Sequence, residues 1–147
     1  MTDNSNKYGC LFGIGVGPGD PELITLKALK ALRRAPVICV PQAANRRDSY
    51  ALSIISEYVN PAQEILRVPF PTDDADGAAQ AWQEASELIT QKLRDGNDVA
   101  FLTEGDPTLF STFSYVLAGV QKLCPDVPVE IIPGVSSVMA AAASSGS

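Results

Sequence analysis

Three short segments of the sequence bring together the residue types that most often line ligand sites. They are rich in glycine, proline, aspartate and serine, and they occupy residues 17–21, 104–108 and 133–137. Each comes directly after a short apolar stretch of the kind that forms a buried strand. Glycine lets the backbone approach a ligand closely, carboxylates transfer protons or attract cations, and serine hydroxyls donate hydrogen bonds. These segments are therefore the candidates for chemistry.

The first segment ends a run in which glycine occupies every second position from Gly13 to Gly19. Glycines after a first strand are typical of dinucleotide sites, but the spacing here does not fit that motif. A motif that starts at Gly13 has Pro18 where its third glycine belongs. One that starts at Gly15 has Asp20 there, a carboxylate where phosphate would lie. We expect close approach of the backbone to a ligand other than a phosphate, with a purely structural turn as the alternative.

The second and third segments each allow a structural and a functional interpretation. Glu104 and Asp106 flank a glycine, and paired carboxylates can do acid–base or metal work, although no third ligand is nearby in the sequence. The same segment can equally cap a helix, accept hydrogen bonds from ribose hydroxyls or attract a cation. Ser136 and Ser137 either cap the helix that comes next or leave room for a flat ring beside their small side chains.

The composition limits the function classes. The chain has 147 residues, of which 46% are apolar, and this favours a single globular domain. It has no histidine and three cysteines far apart, which argues against a metal site and against a catalytic triad. An excess of 17 acidic over 11 basic residues argues against nucleic acid as a partner. Because no segment is typical of a membrane span or a secretory signal, a cytoplasmic protein is expected.

Apolar periodicity predicts alternating strands and helices. The predicted strands are residues 11–16, 37–40, 64–68, 99–102 and 129–132, with the third at an edge of the sheet. The predicted helices are residues 21–34, 49–58, 78–94 and 111 or 112 to 123, followed by an alanine-rich helix after the third segment. In the first helix, Asp20 is the predicted N-cap, and the predicted core face is Leu23, Leu26, Leu29 and Leu32.

This alternation is typical of an α/β fold with a mostly parallel five-stranded sheet and helices on both faces. Ligands bind such sheets beyond the carboxyl ends of the strands. Since each of the three segments comes after a strand, we expect all of them to line one crevice. Basic residues outnumber acidic ones in positions 1–70, whereas positions 71–147 are strongly acidic, so anionic ligands are expected near the first half.

The order and spacing of three motifs resemble those of the tetrapyrrole methylases, the S-adenosylmethionine-dependent C-methyltransferases of corrin and sirohaem synthesis. The motifs are GPGDPELIT at residues 17–25, EGDPTLFSTFSY at 104–115 and IPGVSS at 132–137. The second is most similar to the branch that methylates C20 of precorrin-2 or of cobalt-factor II, which implies that activity in cobalamin synthesis. Uroporphyrinogen-III-type methylation of another carbon and a non-catalytic tetrapyrrole-binding fragment remain alternatives, and nucleotide binding is less favoured.

The resemblance implies that S-adenosylmethionine binds where the three motifs meet. The positions expected to bind this methyl donor are Pro18, Gly105, Asp106, Pro107, Leu109, Ser111, Thr112, Ser136 and Ser137. The tetrapyrrole substrate carries several carboxylates, and Arg46 and Arg47 are expected to bind them, with an ordinary solvated pair of loop arginines as the alternative. Asp20 is the carboxylate nearest to the substrate by position, although no residue is identified as a catalytic base.

The resemblance also implies a domain organisation. Residues 1–147 are expected to be the N-terminal α/β domain of the family. Members are longer, and their second α/β domain supplies the rest of the donor pocket and much of the dimer interface. That second domain is expected to be absent from this sequence, and a homodimer is expected for the full-length protein.

Overall fold

The computed structural model describes residues 8–43, 50–70, 75–108 and 113–146. Its strands are β1 (Leu11–Gly15), β2 (Val37–Ala43), β3 (Glu64–Phe70), β4 (Val99–Thr103) and β5 (Val129–Ile132). Its α-helices are α1 (Leu26–Arg34), α2 (Tyr50–Ile55), α3 (Ala75–Arg94), α4 (Phe113–Leu123) and α5 (Ser137–Ser144). Two single turns of 3-10 helix, Pro21–Leu23 and Ser56–Tyr58, lie before α1 and after α2.

The five strands form one sheet in the order β3-β2-β4-β1-β5, and every pair of neighbouring strands is parallel. The predicted fold class is confirmed, and so is the edge position of the third strand. The fourth strand returns to the middle of the sheet, between β2 and β1, and the fifth lies on the other side of β1. The carboxyl ends of β1, β4 and β5 are therefore adjacent, which is the position where α/β sheets bind ligands.

Alternating residues of the five strands contribute to two separate cores. On one face, apolar strand residues pack with α1 and α2; these are Phe12, Ile14, Ile38, Val40, Ala100, Leu102 and Ile132. On the other face, the intervening residues pack with α3 and α4; these are Leu11, Val37, Cys39, Val68, Val99 and Phe101. Side chains in a strand point alternately to opposite faces, so this division shows that helices cover both sides of the sheet.

The prediction of one continuous helix from Asp20 was wrong. Asp20 does act as a cap, because its Oδ1 accepts a hydrogen bond from Glu22 N at 2.9 Å, but the helix it caps is only the 3-10 turn. Ile24 is extended, and Thr25 then caps α1 by accepting from Ala28 N at 3.1 Å. A second good N-cap five residues downstream therefore divides the segment.

The late start of α1 also changes which residues face the core. The buried residues of α1 are Ala28, Ala31 and Leu32. Leu26, at the first position of the helix, is 77% exposed, and Leu23 of the preceding turn is also exposed. The predicted core face of four leucines is therefore wrong for these two positions. Leu23 lies before the helix, and a strict three-residue spacing places Leu26 about 120° from the buried Leu32 around the helix axis.

Other boundaries moved by a few residues. β2 continues through Pro41 to Ala43. Its pairing with β4 ends at Cys39, but its pairing with β3 continues until Ala43 lies opposite Phe70. The helix predicted to begin at residue 78 begins at Ala75. Within the described residues, no helix combines the length and apolarity that crossing a membrane requires.

Candidate functional site

The turns after β1 and β4 are joined by their backbones just beyond the strands. Val16 N donates to Thr103 O at 2.9 Å, which extends the strand pairing by one residue. Gly17 and Gly105 then form an isolated antiparallel bridge, in which Gly105 N donates to Gly17 O at 2.8 Å and Gly17 N donates to Gly105 O at 3.3 Å. Both glycines have positive φ angles, 86° and 66°, a region that glycine adopts without strain.

The turn after β5 packs against the same bridge without any side chain between the backbones. A Cβ atom added to Gly134 would lie 2.1 Å from Gly105 O, and one added to Gly15 would lie 2.4 Å from the same oxygen. Neither position has room for a side chain larger than hydrogen. The three turns thus meet, backbone against backbone, beyond the carboxyl ends of β1, β4 and β5, where α/β sheets have their ligand crevice, and this meeting place is called the crevice below.

Asp106 links two of these turns through its carboxylate. Its Oδ2 accepts a hydrogen bond from Gly134 N at 3.0 Å, and its Oδ1 accepts from Thr108 N at 2.8 Å and from Thr108 Oγ1. Partial burial acts to raise the pKa of Asp106, but the hydrogen bonds from Thr108 and Gly134 outweigh it and lower that pKa below the ordinary aspartate value. The carboxylate is therefore ionised at neutral pH.

The other described residues predicted to bind the donor lie on the same three turns. Gly105 and Pro107 are buried, and Pro18 and Ser136 are half-buried. The hydroxyl of Ser136 accepts from Met139 N at 3.3 Å, so it is the N-cap of α5, as the structural interpretation of this segment predicted. Ser137 is exposed in the first turn of that helix.

Several other predicted site residues cannot be placed. Leu109, Ser111 and Thr112, expected to bind the donor, and Arg46 and Arg47, expected to bind the substrate, lie outside the described residues. Asp20 is described, and it is exposed beside the first turn.

The sequence reasoning missed residues that hold the crevice together. Gly134 was part of a noted segment but was not among the predicted site residues, and Thr108 and Tyr58 were not singled out. The hydroxyl of Tyr58 donates to Pro21 O at 3.1 Å, which ties the 3-10 turn after α2 to the end of the first turn. The Pro-Gly pair directly after a strand was the available signal for Gly134, whereas no local pattern marks Tyr58, which acts across 37 positions.

The charges of the three turns are all of one sign. Asp20, Glu104 and Asp106 are their charged residues, and the turns contain no lysine or arginine. A backbone-lined crevice with carboxylates beside it suits a cationic or neutral ligand and disfavours a phosphate. This agrees with the failure of the dinucleotide spacing.

A second concavity lies on the surface between α3 and α4. It has a volume of about 280 Å³ and contains none of the predicted site residues. The rings of Trp82 and Tyr115 stack beside it with their centroids 6.0 Å apart. It is separate from the strand-end turns, and its lining residues are Ala79, Trp82, Gln83, Ser86, Tyr115, Gly119, Lys122 and Leu123.

The sequence matches a family model, that of the Tetrapyrrole (Corrin/Porphyrin) Methylases, over residues 10–147. The chain therefore belongs to the tetrapyrrole methylases, and the resemblance of its motifs is confirmed.

Two curated relatives are similar over most of the chain. A probable cobalt-precorrin-2 C(20)-methyltransferase of Methanocaldococcus jannaschii is 40% identical over 134 residues, which are 90% of this chain and 56% of the relative. The cobalt-precorrin-2 C(20)-methyltransferase of Salmonella typhimurium is 37% identical over 137 residues, which are 92% of this chain and 56% of the relative. The chain thus spans just over half the length of these relatives.

Solved structures share the fold over nearly the whole chain. A cobalt precorrin-4 methyltransferase superposes with a TM-score of 0.74 at 28% identity, covering 99% of this chain and 53% of that one. The uroporphyrin-III C-methyl transferase of Thermus thermophilus, complexed with S-adenyl homocysteine, superposes with a TM-score of 0.65 at 31% identity. That match covers 91% of this chain and 52% of the Thermus chain.

Proposed function

We propose that this chain forms the donor-binding crevice of an S-adenosylmethionine-dependent methyltransferase that acts on C20 of cobalt-precorrin-2 or precorrin-2. The observation that carries the proposal is the meeting of three backbone-lined turns at the carboxyl ends of β1, β4 and β5. The choice of C20 is supported by the names of the two curated relatives, which share 40% and 37% of the aligned residues. Methylation at another carbon, as in uroporphyrinogen-III methylation, is the second candidate.

The residues of the crevice fit S-adenosylmethionine. This compound carries a positively charged sulfur and a nucleoside but no phosphate, so it needs hydrogen-bonding backbone and benefits from nearby carboxylates. The amides of Gly17, Gly105 and Gly134 are already bonded within these turns, so the backbone groups they offer the donor are carbonyl oxygens, each of which can accept a second hydrogen bond. Glu104 and Asp106 supply negative charge. We assign donor contact to the nine positions that the motifs predict, from Pro18 through Ser137, with Leu109, Ser111 and Thr112 included on the strength of the motif.

Methyl transfer mainly requires correct positioning of the donor and the acceptor. S-adenosylmethionine, when bound, supplies a methyl group on a sulfonium that is ready for displacement. The task of this chain is to hold donor and acceptor in line and to keep water away, and correct placement of two reactants alone contributes about 7 to 11 kcal/mol in favourable cases. The close packing at Gly15, Gly105 and Gly134 suits that task, because a rigid backbone fixes the bound donor more narrowly than long side chains do.

The substrate residues are also part of the proposal. Arg46 and Arg47 come after β2 and would pair with the carboxylates of the tetrapyrrole, which guanidinium groups bind in bidentate fashion. Asp20 would face the substrate from the first turn. If the Arg46→Ala and Arg47→Ala double variant bound tetrapyrrole as tightly as the native chain at moderate salt, this assignment would be wrong.

A second α/β domain is proposed to cover the remaining side of the crevice. The helix after the third turn, α5, has no buried residue in the structure, and its Val138 and Met139 are 64% and 68% exposed. Ile131 on the outer strand β5 is also exposed. An apolar surface beside the crevice is suited to such a domain, and we expect the chain alone to bind the donor weakly. The homodimeric state and the cytoplasmic location stay predictions.

Calorimetric titration of the chain with S-adenosylhomocysteine and S-adenosylmethionine tests the proposed function. We expect saturable binding of both compounds and no binding of ATP or NAD at the same concentrations, because phosphates meet only acidic and backbone groups there. Uptake of ATP in place of S-adenosylhomocysteine would overturn the proposal in favour of a nucleotide site. If the chain instead bound a tetrapyrrole but neither S-adenosylmethionine nor S-adenosylhomocysteine, a non-catalytic tetrapyrrole carrier would be supported.

A further inference from the structure

One carboxylate connects two walls of the crevice. Both oxygens of Asp106 accept hydrogen bonds, Oδ1 from Thr108 within its own turn and Oδ2 from Gly134 N in the turn after β5. The bond to Gly134 joins segments 28 positions apart in the sequence. This side-chain hydrogen bond joins the two turns directly.

Gly134 lies two residues before the N-cap of the next helix, α5. Two residues later, Ser136 caps α5, so the start of that helix is fixed relative to Gly134 by a short, extended segment. Across the crevice, a Cβ added to Gly105 would lie 3.6 Å from Ser136 Cα. A movement of Gly134 therefore changes the distance between the turn after β4 and the serines of the turn after β5.

We propose that Asp106 is a positioning residue that sets the separation of these two turns through the Gly134 amide, and that it acts on the methyl donor through this separation. The inference rests on the proposed function; it leaves donor contact at position 106 to the backbone and gives the carboxylate of Asp106 the separate role of holding Gly134. Ionised acceptors make stronger hydrogen bonds than neutral ones, so the carboxylate holds Gly134 more firmly than an amide side chain would.

The lowered pKa of Asp106 agrees with this role. Burial acts to raise that pKa, and it is the hydrogen bonds from Thr108 and Gly134 that lower it; no charged side chain contributes. The ionised form is thus stabilised by the same bonds that link the turns. Glu104 in the same turn and Asp20 in the first turn are the other titratable groups of the crevice, and any pH experiment has to separate them from Asp106.

The chain offers a matched control for substitutions of Asp106. Asp98 also accepts a hydrogen bond from a backbone amide of another segment, Cys10 N at 2.8 Å, but it precedes β4 and lies at the amino ends of the strands, opposite the crevice. We expect Asp106→Asn to weaken S-adenosylhomocysteine binding about tenfold, the effect typical of losing a charge-assisted hydrogen bond, and Asp106→Ala to weaken it further. Asp98→Asn should change the affinity less than about twofold, because surface and remote changes are mostly small.

Nuclear magnetic resonance of the ligand-free chain supplies a readout that a general loss of stability would not mimic. The amide resonance of Gly134 should shift with pH as Asp106 titrates below the ordinary aspartate range. The same titration recorded on Asp106→Asn gives the contributions of Glu104 and Asp20, and the Gly134 shift should be absent there. In the Asp98→Asn variant, the Gly134 amide should shift with pH as it does in the native chain.

The outcomes separate this inference from the proposed function. If the native chain does not bind S-adenosylhomocysteine, the proposed function fails. If it does bind, and Asp106→Asn binds equally well, the positioning role is overturned while the function stands. If Asp106→Asn weakens binding but the Gly134 amide of the free chain never shifts with the titration of Asp106, the carboxylate contacts the donor directly and the inference is again overturned.

Discussion

An aspartate lies near each end of strand β4, and the surroundings of the two ends differ. Asp98, directly before the strand, accepts from Cys10 N and pairs with Arg34 at 3.7 Å. Asp106, beyond the carboxyl end, accepts from Gly134 N. Both carboxylates join neighbouring segments by a backbone amide. The amino end is nevertheless covered by side chains, whereas the carboxyl end borders the crevice.

Close glycine packing occurs at both ends. At the amino end, a Cβ added to Gly9 would lie 1.9 Å from Asn97 O, and Gly9 N donates to Leu93 O at 2.9 Å. Gln63 closes this end further, since its Nε2 donates to backbone oxygens of the α1 terminus at 2.8 and 2.6 Å. A glycine with no room for a side chain is therefore not by itself the sign of a ligand site. The sign is such packing at the carboxyl ends of strands that the topology places side by side.

The largest expected difference between the two ends comes from adding one methyl group to each. Gly134→Ala and Gly9→Ala should both lower the free energy of unfolding, by about 3 kcal/mol or more, because the new Cβ meets backbone atoms that cannot move cheaply. Only Gly134→Ala should also weaken S-adenosylhomocysteine binding, by more than about tenfold, since it separates turns that hold the donor.

Urea denaturation gives the stabilities, and calorimetry at a temperature where both variants are folded gives the affinities. Equal loss of affinity in the two variants would mean that the amino end influences the donor as strongly as the carboxyl end. The comparison of the two ends would then have no functional meaning.

A smaller effect is expected when Asp98 is removed. Asp98→Ala leaves Cys10 N without its acceptor, and an unsatisfied, partly buried donor costs about 1 to 3 kcal/mol of stability. The Arg34 side chain of the ion pair is largely exposed and its Nε lies 3.7 Å from the Asp98 oxygen, so the pair should contribute little and the loss should persist in high salt. Denaturation at low and high salt measures this, and a loss that disappears in high salt would assign the stabilisation to the ion pair.

The elements of the sheet were predictable because each depends on local sequence. Short apolar stretches bounded by proline or glycine indicated all five strands, and the alternation with helices indicated their parallel arrangement. The start of α1 was not predicted, because Asp20 and Thr25 are both good N-caps and the structure uses both, the first for the 3-10 turn and the second for α1. Sequence patterns alone do not weigh two adequate caps against each other.

The location of the candidate site was predictable from the sequence, but its contacts were not. The position of the three turns came from the rule that parallel strands end together. The partner of Asp106 did not, because Gly134 donates from a turn 28 positions away and glycine has no side chain that would mark it. Likewise, the hydroxyl of Ser136 caps α5 in the structure, and no spacing distinguishes a capping serine from one that binds a ligand.

A further expectation concerns acid. The pKa of Asp106 is lower in the folded chain than in the unfolded one, so the stabilisation is present above the ordinary aspartate pKa and is lost as the pH falls through the lowered value. The difference in unfolding free energy between the native chain and Asp106→Asn should therefore shrink as the pH falls from about 5 towards about 2. Urea denaturation across this range measures it, and a difference that grows towards low pH would contradict the ionised link to Gly134.

The smallest expected effect is on the reactivity of the Cys10 thiol, at the amino ends of the strands. Burial first, and then the charges of Asp98 and Glu130, raise the pKa of Cys10 to about 11, whereas burial alone raises that of Cys39 to about 12. Asp98→Asn removes one of the charges that oppose a thiolate at Cys10, so alkylation of Cys10 should become faster, by less than about tenfold, in proportion to the thiolate fraction. Cys39 should react as slowly as before. Peptide mass spectrometry after timed iodoacetamide treatment distinguishes the thiols, and faster modification of Cys39 would mean that the substitution opens the sheet rather than changing a local charge.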